Sequence, residues 1–167
     1  MGEQIDLYLA SQNIGALWFG IAKEADQNDL KYIIMIAIAG MEETDFRKDM
    51  FKSKRKELKE IWKGESIEGV SDIVRFSPSA CNSQPWIVEN TGEELIITRY
   101  HEEGKRGIMP KNKVGYYNRI DMGIFLFILE TCLKQNGYSF DRELYEDDGD
   151  PERELTLYAK YRYKKDQ

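Results

Sequence analysis

Residues 75–86 read Arg-Phe-Ser-Pro-Ser-Ala-Cys-Asn-Ser-Gln-Pro-Trp, and they lie between a predicted helix and a predicted strand. The small residues in this segment would let a flat ligand approach the backbone closely. Asn82 and Gln84 can donate and accept hydrogen bonds at the edge of a heteroaromatic ring. The same residue types also suit an ordinary polar turn with two prolines, so composition alone leaves both interpretations open.

The sequence after this segment predicts four strands and one core helix. The strands are expected at residues 86–89, 95–100, 138–145 and 154–163. The first two are joined through Asn90-Thr91-Gly92, which is typical of a hairpin turn. The helix is expected at 119–136, because its middle is apolar nearly all round and Gly137 supplies a C-terminal stop. Residues 101–118 contain glycines and lysines and predict a long loop that covers a functional site.

The sequence before the segment is more ambiguous. Apolar residues at helical spacing predict a helix over 5–23, interrupted near Gly15. The apolar, β-branched run 32–39 predicts a central strand buried on both faces. Residues 42–63 are rich in charge and predict a solvated connection with a short helical piece near its end. Ser66 is expected to cap a helix that runs to Phe76.

Length and charge exclude several classes of protein. At 167 residues and 41% hydrophobic content, the chain is expected to form a single domain over residues 1–167. A net charge of −6 and a pI near 5.0 disfavour binding to nucleic acid or to anionic lipid. The apolar runs are too short to span a membrane, and the first residues lack the pattern of a secretory signal. We therefore expect a soluble cytoplasmic protein.

Few side chains are suited to direct catalysis. Cys81 and Cys132 are too few for a disulfide framework and are expected to stay reduced. The single histidine, His101, leaves almost no material for a histidine-based metal site or a catalytic triad. We predict neither a metal ion nor a catalytic side chain, so any enzymatic chemistry would be carried by a cofactor.

Residues 78–86 resemble the signature of the flavin-binding nitroreductase family, P-S-A-x-N-x-Q-P-W. Every specified position is matched, by Pro78, Ser79, Ala80, Asn82, Gln84, Pro85 and Trp86. In the family this loop follows a helix and lies against the isoalloxazine ring of FMN at the interface of two halves. The resemblance therefore implies that Pro78, Ser79, Ala80, Asn82 and Gln84 bind FMN.

Two further segments carry the resemblance. Residues 2–9 and 15–20 are similar to the family pattern G-E-Q-h-V-L-Y-L followed by G-L-G-T-C-W-h-G, which implies that Trp18, Phe19 and Gly20 lie near the flavin. These residues could equally be packing glycines and a core tryptophan. Residues 120–124 resemble the D-x-G-I opening of a core helix, where Asp121 would satisfy amide donors near the helix start. The subfamily in question has two nitroreductase-like halves in one polypeptide.

The family's opening segment, of the form R-R-S-x-R, grips the FMN phosphate and would lie upstream of Met1. The resemblance thus implies an α+β fold with a mixed, largely antiparallel sheet flanked by helices, incomplete at the N-terminus. Lys52-Ser53-Lys54-Arg55 imitates a phosphate clamp, although its position corresponds to a charged connector in the family.

The implied function is that of an FMN-dependent oxidoreductase that passes hydride from NAD(P)H through flavin N5 to a nitroaromatic or quinone, and that forms a homodimer. The alternative is a truncated or split chain without flavin activity of its own, which serves as a structural or interaction partner or associates with itself.

Overall fold

The computed structural model describes residues 1–20, 33–101, 107–148, 150 and 153–166. The chain divides into two compact units, Met1–Met50 and Phe51–Gln167, and each is described by itself. The expectation of one domain over the whole chain remains a prediction.

The first unit is a helix followed by a two-stranded antiparallel hairpin. Helix α1 (Gly2–Ser11) leads into β1 (Ile14–Phe19), which pairs with β2 (Met35–Gly40), and a 3-10 turn follows at Glu43–Asp45. The predicted helix over 5–23 was therefore wrong between Ser11 and Gly20, and its last residues, 21–23, lie outside the described chain. Asn13 has a φ of 56°, and this left-handed residue ends the helix and leads the chain into β1, which pairs with β2. Backbone pairing outweighs the helical spacing of the apolar residues.

Strand β2 confirms the predicted strand but not its predicted setting. Residue 32 lies outside the described part of the chain, and the strand begins at Met35. The expected burial on both faces was wrong, because Ile38 is 61% exposed and β2 belongs to a two-stranded sheet. A hairpin with one neighbouring strand cannot enclose both faces of its apolar residues.

The second unit contains a five-stranded sheet in the order β3-β4-β5-β7-β6. Its strands are β3 (Trp62–Lys63), β4 (Trp86–Asn90), β5 (Glu94–Tyr100), β6 (Tyr138–Leu144) and β7 (Leu155–Lys165). The pair β3·β4 is parallel, and the other pairs are antiparallel. The four predicted strands and the hairpin turn at 90–92 are confirmed, as is an α+β fold with a mixed, largely antiparallel sheet.

The long helix α4 (Lys111–Gln135) packs its apolar face on this sheet and forms the core. Phe125 stacks on Trp86 with ring centroids 4.7 Å apart and planes 18° from parallel. Met122, Leu129 and Leu133 are fully buried beside them. Each such side chain contributes about 1.5–3 kcal/mol by burial, so α4 fixes whatever is attached to its inner face.

The predicted loop over 101–118 was wrong for its second half. Residues 102–106 lie outside the described chain, but α4 already begins at Lys111, directly after Pro110. Asn118 and Val114 are buried one and two turns before Met122, so they continue the inward face of the helix. Gly115 and the polar residues around it concealed this continuation in the sequence.

The helices before the signature segment are short. The expected helical piece near Trp62 is confirmed as α2 (Leu58–Ile61). The helix predicted from Ser66 to Phe76 is reduced to α3 (Ser71–Val74), and its N-cap is Val70. Gly69 has a φ of 71°, which delays the start of the helix. In the described ranges, no helix combines the length and the apolar character needed to cross a bilayer.

Candidate functional site

The segment between α3 and β4, residues 75–85, is here called the signature loop; it forms a tight, strained bend. Cys81, Asn82 and Gln84 have φ values of 51°, 54° and 46°, and the bend contains a 3-10 turn at Ala80–Asn82. A non-glycine residue in this left-handed region costs about 1–3 kcal/mol. Such a shape persists only where neighbouring contacts enforce it.

The first of these contacts lie inside the loop. The backbone N–H of Gln84 donates to Ser79 Oγ over 2.9 Å, and the N–H of Asn82 donates to Ser79 O over 3.0 Å. The N–H of Ser83 donates to Ala80 O over 3.1 Å. Ser79 therefore closes the bend with both its side chain and its carbonyl.

Helix α4 holds the loop from the core side through Asp121. The backbone N–H of Ala80 donates to Asp121 Oδ1 over 2.8 Å, and the Ser83 hydroxyl lies 3.2 Å from Asp121 Oδ2. The same hydroxyl lies 3.2 Å from Asn118 Oδ1, one turn earlier in the helix. Ala80 and Ser83 flank two of the left-handed residues, so these bonds fix the most strained part of the bend.

Asp121 is therefore not at the start of its helix, as the sequence predicted, but well inside α4. It does satisfy an amide donor, although that donor belongs to the signature loop and not to the helix end. Burial raises the pKa of Asp121 from 3.8 to about 7, while the hydrogen bonds from Ala80 and Ser83 act in the opposite direction.

A basic strap, defined as Lys54, Arg55 and Lys56, holds the loop from the other side. Arg55 Nη1 donates to Asn82 Oδ1 over 2.6 Å, and Asn82 Nδ2 donates to Lys54 O over 3.1 Å. The backbone N–H of Lys56 donates to Gln84 Oε1 over 3.0 Å, and Lys56 Nζ donates to Gln84 O over 3.3 Å. The strap thus engages both amide side chains of the loop.

The residues predicted to bind FMN from the signature are brought together in this loop, but they face different ways. Pro78 and Asn82 are exposed, and Ser79 and Ala80 are half-buried. Gln84 is only 2% exposed, and its side chain is engaged by the strap. The side that a ring could approach therefore carries small side chains and the Asn82 amide.

The remaining three predicted residues belong to the first unit. Trp18 lies in β1, where its Nε1 donates to Asp6 Oδ2 over 2.6 Å. A Cβ at Gly2 would come within 2.6 Å of the Trp18 ring, so the indole packs closely on α1. Phe19 is 41% exposed and Gly20 is exposed at the strand end. Trp18 thus has a packing role, and the flavin-binding role of all three residues remains a prediction.

The signature loop carries groups suited to the edge of a heteroaromatic ring such as a flavin. Its small side chains permit close approach, and Asn82 Nδ2 carries a second hydrogen besides the one given to Lys54 O. The guanidinium of Arg55 places positive charge beside that amide. For a metal ion, the described ranges contain no group of three or more His, Cys, Asp or Glu side chains that could hold one.

The sequence identified the charged residues of the strap but not their contacts. Lys54 and Arg55 were considered as a phosphate clamp or as a connector, and the structure shows hydrogen bonds from this segment to Asn82 and Gln84. No local pattern indicates that residues 27 and 28 positions apart are bonded. The only sequence signal for these hydrogen bonds is that a basic run, residues 54–56, precedes the polar signature loop.

Comparison with known proteins supports the resemblance. The sequence profile of the family described as "Putative TM nitroreductase" matches residues 1–132. Among solved structures, a crystal structure of a putative nitroreductase from Thermotoga maritima matches with a TM-score of 0.59 at 19% identity. The match covers 96% of this chain but 59% of that one, so this chain spans less than two thirds of its structural relative. A search of curated proteins found no match. Because the family profile covers more than half of the residues, the chain belongs to this nitroreductase family.

Proposed function

We propose that this chain is an FMN-dependent oxidoreductase and that its signature loop contacts the flavin ring. The observation that carries the proposal is the enforced shape of the loop: its left-handed residues are held between Asp121 and the basic strap, with the Asn82 amide at the surface. Strain retained at a polar, small-residue bend is typical of ligand-binding sites. Family membership gives the ligand its chemical class.

When bound, FMN would supply the redox chemistry, taking hydride at N5 from NADH or NADPH and passing electrons to a nitroaromatic or quinone. The protein's own residues bind and orient. Pro78, Ser79 and Ala80 leave room for the ring, and Asn82 offers a hydrogen-bond donor to its edge. No side chain is needed as a nucleophile. We also propose a homodimer. Because two cysteines are too few for a disulfide framework, we propose a reducing, cytoplasmic setting.

A second candidate is an interaction chain without flavin activity of its own. It is favoured by the apolar side chains that the first unit exposes, among them Leu17 at 58% and Ile38 at 61%. In this alternative the hairpin β1–β2 binds another polypeptide, and the signature loop is retained only as a structural bend.

Flavin binding decides between the two. Purified protein is titrated with FMN, and the quenching of flavin fluorescence gives the dissociation constant. Asn82→Ala is expected to weaken binding by about tenfold, because a hydrogen bond is worth about 0.5–1.5 kcal/mol and the anchors of Arg55 and Lys54 are also lost. Asn112→Ala is the matched control, since Asn112 is an exposed asparagine at the start of α4.

The expected result is binding by the wild type and by Asn112→Ala, with a clear loss in Asn82→Ala. A colourless wild-type protein that does not quench added FMN would contradict the enzyme and support the interaction chain. Equal affinity of all three proteins would show that the flavin binds elsewhere.

A further inference from the structure

Asp121 is a buried carboxyl on α4 that contacts the signature loop at Ala80 and Ser83. We propose that Asp121 is a positioning residue for flavin binding, which acts with Ser83 and Asn118 to hold the loop in its ligand-binding shape. The inference rests on the proposed function and extends it to residues that would not touch the ligand.

The geometry ties the loop to α4, the helix that packs in the core of the second unit. Asp121 is 2% exposed and sits on α4, next to the fully buried Met122. Its two oxygens contact residues 38 and 41 positions earlier, the Ser83 hydroxyl and the Ala80 amide. A carboxyl bonded in this way fixes the position of the loop relative to the helix.

The hydrogen atoms of this network can be counted. The Ser83 hydroxyl has one hydrogen but lies 3.2 Å from both Asp121 Oδ2 and Asn118 Oδ1. If Asp121 is ionised, Ser83 donates to it, and the amide of Asn118 turns so that its NH₂ donates to Ser83. If Asp121 is protonated, its O–H donates to Ser83, and Ser83 donates to Asn118. Both arrangements leave Asp121 Oδ1 to accept from the Ala80 N–H.

This count predicts how substitutions behave. An asparagine at 121 reproduces the second arrangement, since its NH₂ can donate to Ser83 and its oxygen can accept from the Ala80 N–H. An alanine can do neither. It leaves the half-buried Ala80 amide without its carboxylate partner and leaves the Ser83 hydroxyl with Asn118 as its remaining contact on α4. The left-handed residues are then free to relax, and the Asn82 amide loses its fixed direction.

The test compares Asp121→Ala, Asp121→Asn and Leu129→Ala by fluorescence titration with FMN. Leu129 is fully buried on the same helix and contributes to the core, so its truncation lowers stability without touching the loop. Asp121→Ala is expected to weaken FMN binding about tenfold or more, whereas Asp121→Asn and Leu129→Ala stay within about threefold of the wild type. Equal losses in Asp121→Asn and Asp121→Ala, or in Leu129→Ala and Asp121→Ala, would overturn the proposal.

Hydrogen exchange of the Ala80 amide in flavin-free protein provides a second, independent readout. Exchange is expected to accelerate in Asp121→Ala and to remain slow in Asp121→Asn. If even the wild type fails to bind FMN, the proposed function fails, and the exchange measurement still decides whether Asp121 holds the loop. Unchanged exchange in Asp121→Ala would refute the positioning role by itself. Ser83→Ala, which removes one of the two contacts, serves if Asp121→Ala does not fold, and it is expected to give a smaller acceleration.

Discussion

Replacing Asp121 by asparagine should change the pH dependence of stability in a defined direction. Burial raises the pKa of this carboxyl from 3.8 to about 7. The folded state therefore binds the proton more tightly than the unfolded state. The corresponding stability is fully present below about pH 4 and is lost as the pH rises through about 7. This direction is opposite to that of a carboxylate stabilised by a salt bridge.

The magnitude follows from the interval between the two pKa values. At about 1.4 kcal/mol per pH unit, the interval from 3.8 to about 7 corresponds to about 4 kcal/mol between acid and alkaline conditions. Asparagine remains neutral throughout and keeps the hydrogen bond to Ala80. Asp121→Asn should thus match the wild type below about pH 4, exceed its stability by a smaller amount near pH 5, and exceed it by about 4 kcal/mol at pH 8.

Urea unfolding at several pH values between 4 and 8 measures the effect, with the fluorescence of Trp62 and Trp86 reporting on the second unit. Subtracting the wild-type curve from that of Asp121→Asn removes the contributions of the other titrating groups. Parallel curves for the two proteins would refute the reasoning, because they would mean that Asp121 is already ionised in the folded state across this range.

Three further predictions concern other parts of the chain. Burial, and secondarily the nearby Asp6, raises the pKa of Glu3 to about 7. Glu3→Gln should therefore stabilise the first unit more at pH 8 than at pH 5, and thermal unfolding followed by circular dichroism measures the difference. Arg99 forms a buried ion pair with Asp147. Arg99→Ala should lower the free energy of unfolding by about 3–5 kcal/mol, because the buried carboxylate of Asp147 loses its two hydrogen bonds from the guanidinium. A loss below about 1 kcal/mol in urea unfolding would show that the pair is solvated. Arg55→Ala should weaken FMN binding severalfold without a comparable change in melting temperature, since the guanidinium anchors the exposed signature loop.

The elements predicted correctly are those whose signals are local. The hairpin β4–β5 was evident because alternating apolar residues flank a turn that contains Gly92, and the core of α4 was evident from its apolar face. The predictions failed where contacts with residues distant in the sequence override the structure that a local pattern indicates. Residues 14–19 have helical spacing, yet they pair with β2, and no sequence signal specifies that pairing. The first two turns of α4 resemble a loop in composition, yet Val114 is buried in the core.

In the candidate site, too, the local features could be predicted from the sequence and the contacts with distant residues could not. The segment itself could be located from its residues, but what holds it could not, because the bonds from Asp121 and Arg55 join residues 41 and 27 positions apart. A short motif specifies a segment and leaves its surroundings open. The basic run 52–55 could therefore be interpreted as a clamp or as a connector, and only the fold shows that two of its residues bond to Asn82.

The matched positions of the signature have two different roles in the structure. Trp86 is buried against Phe125, and Gln84 is buried beneath the strap, so these side chains build the loop. Ser79 also accepts the hydrogen bond that closes the bend. The side chains left at the surface include that of Asn82, whose amide is held at both ends by the strap. A substitution at Gln84 or Trp86 would thus change flavin affinity and stability together, whereas a substitution of the exposed Asn82 should change affinity more than stability. Substitution of Asn82 is consequently the most direct test of the flavin hypothesis.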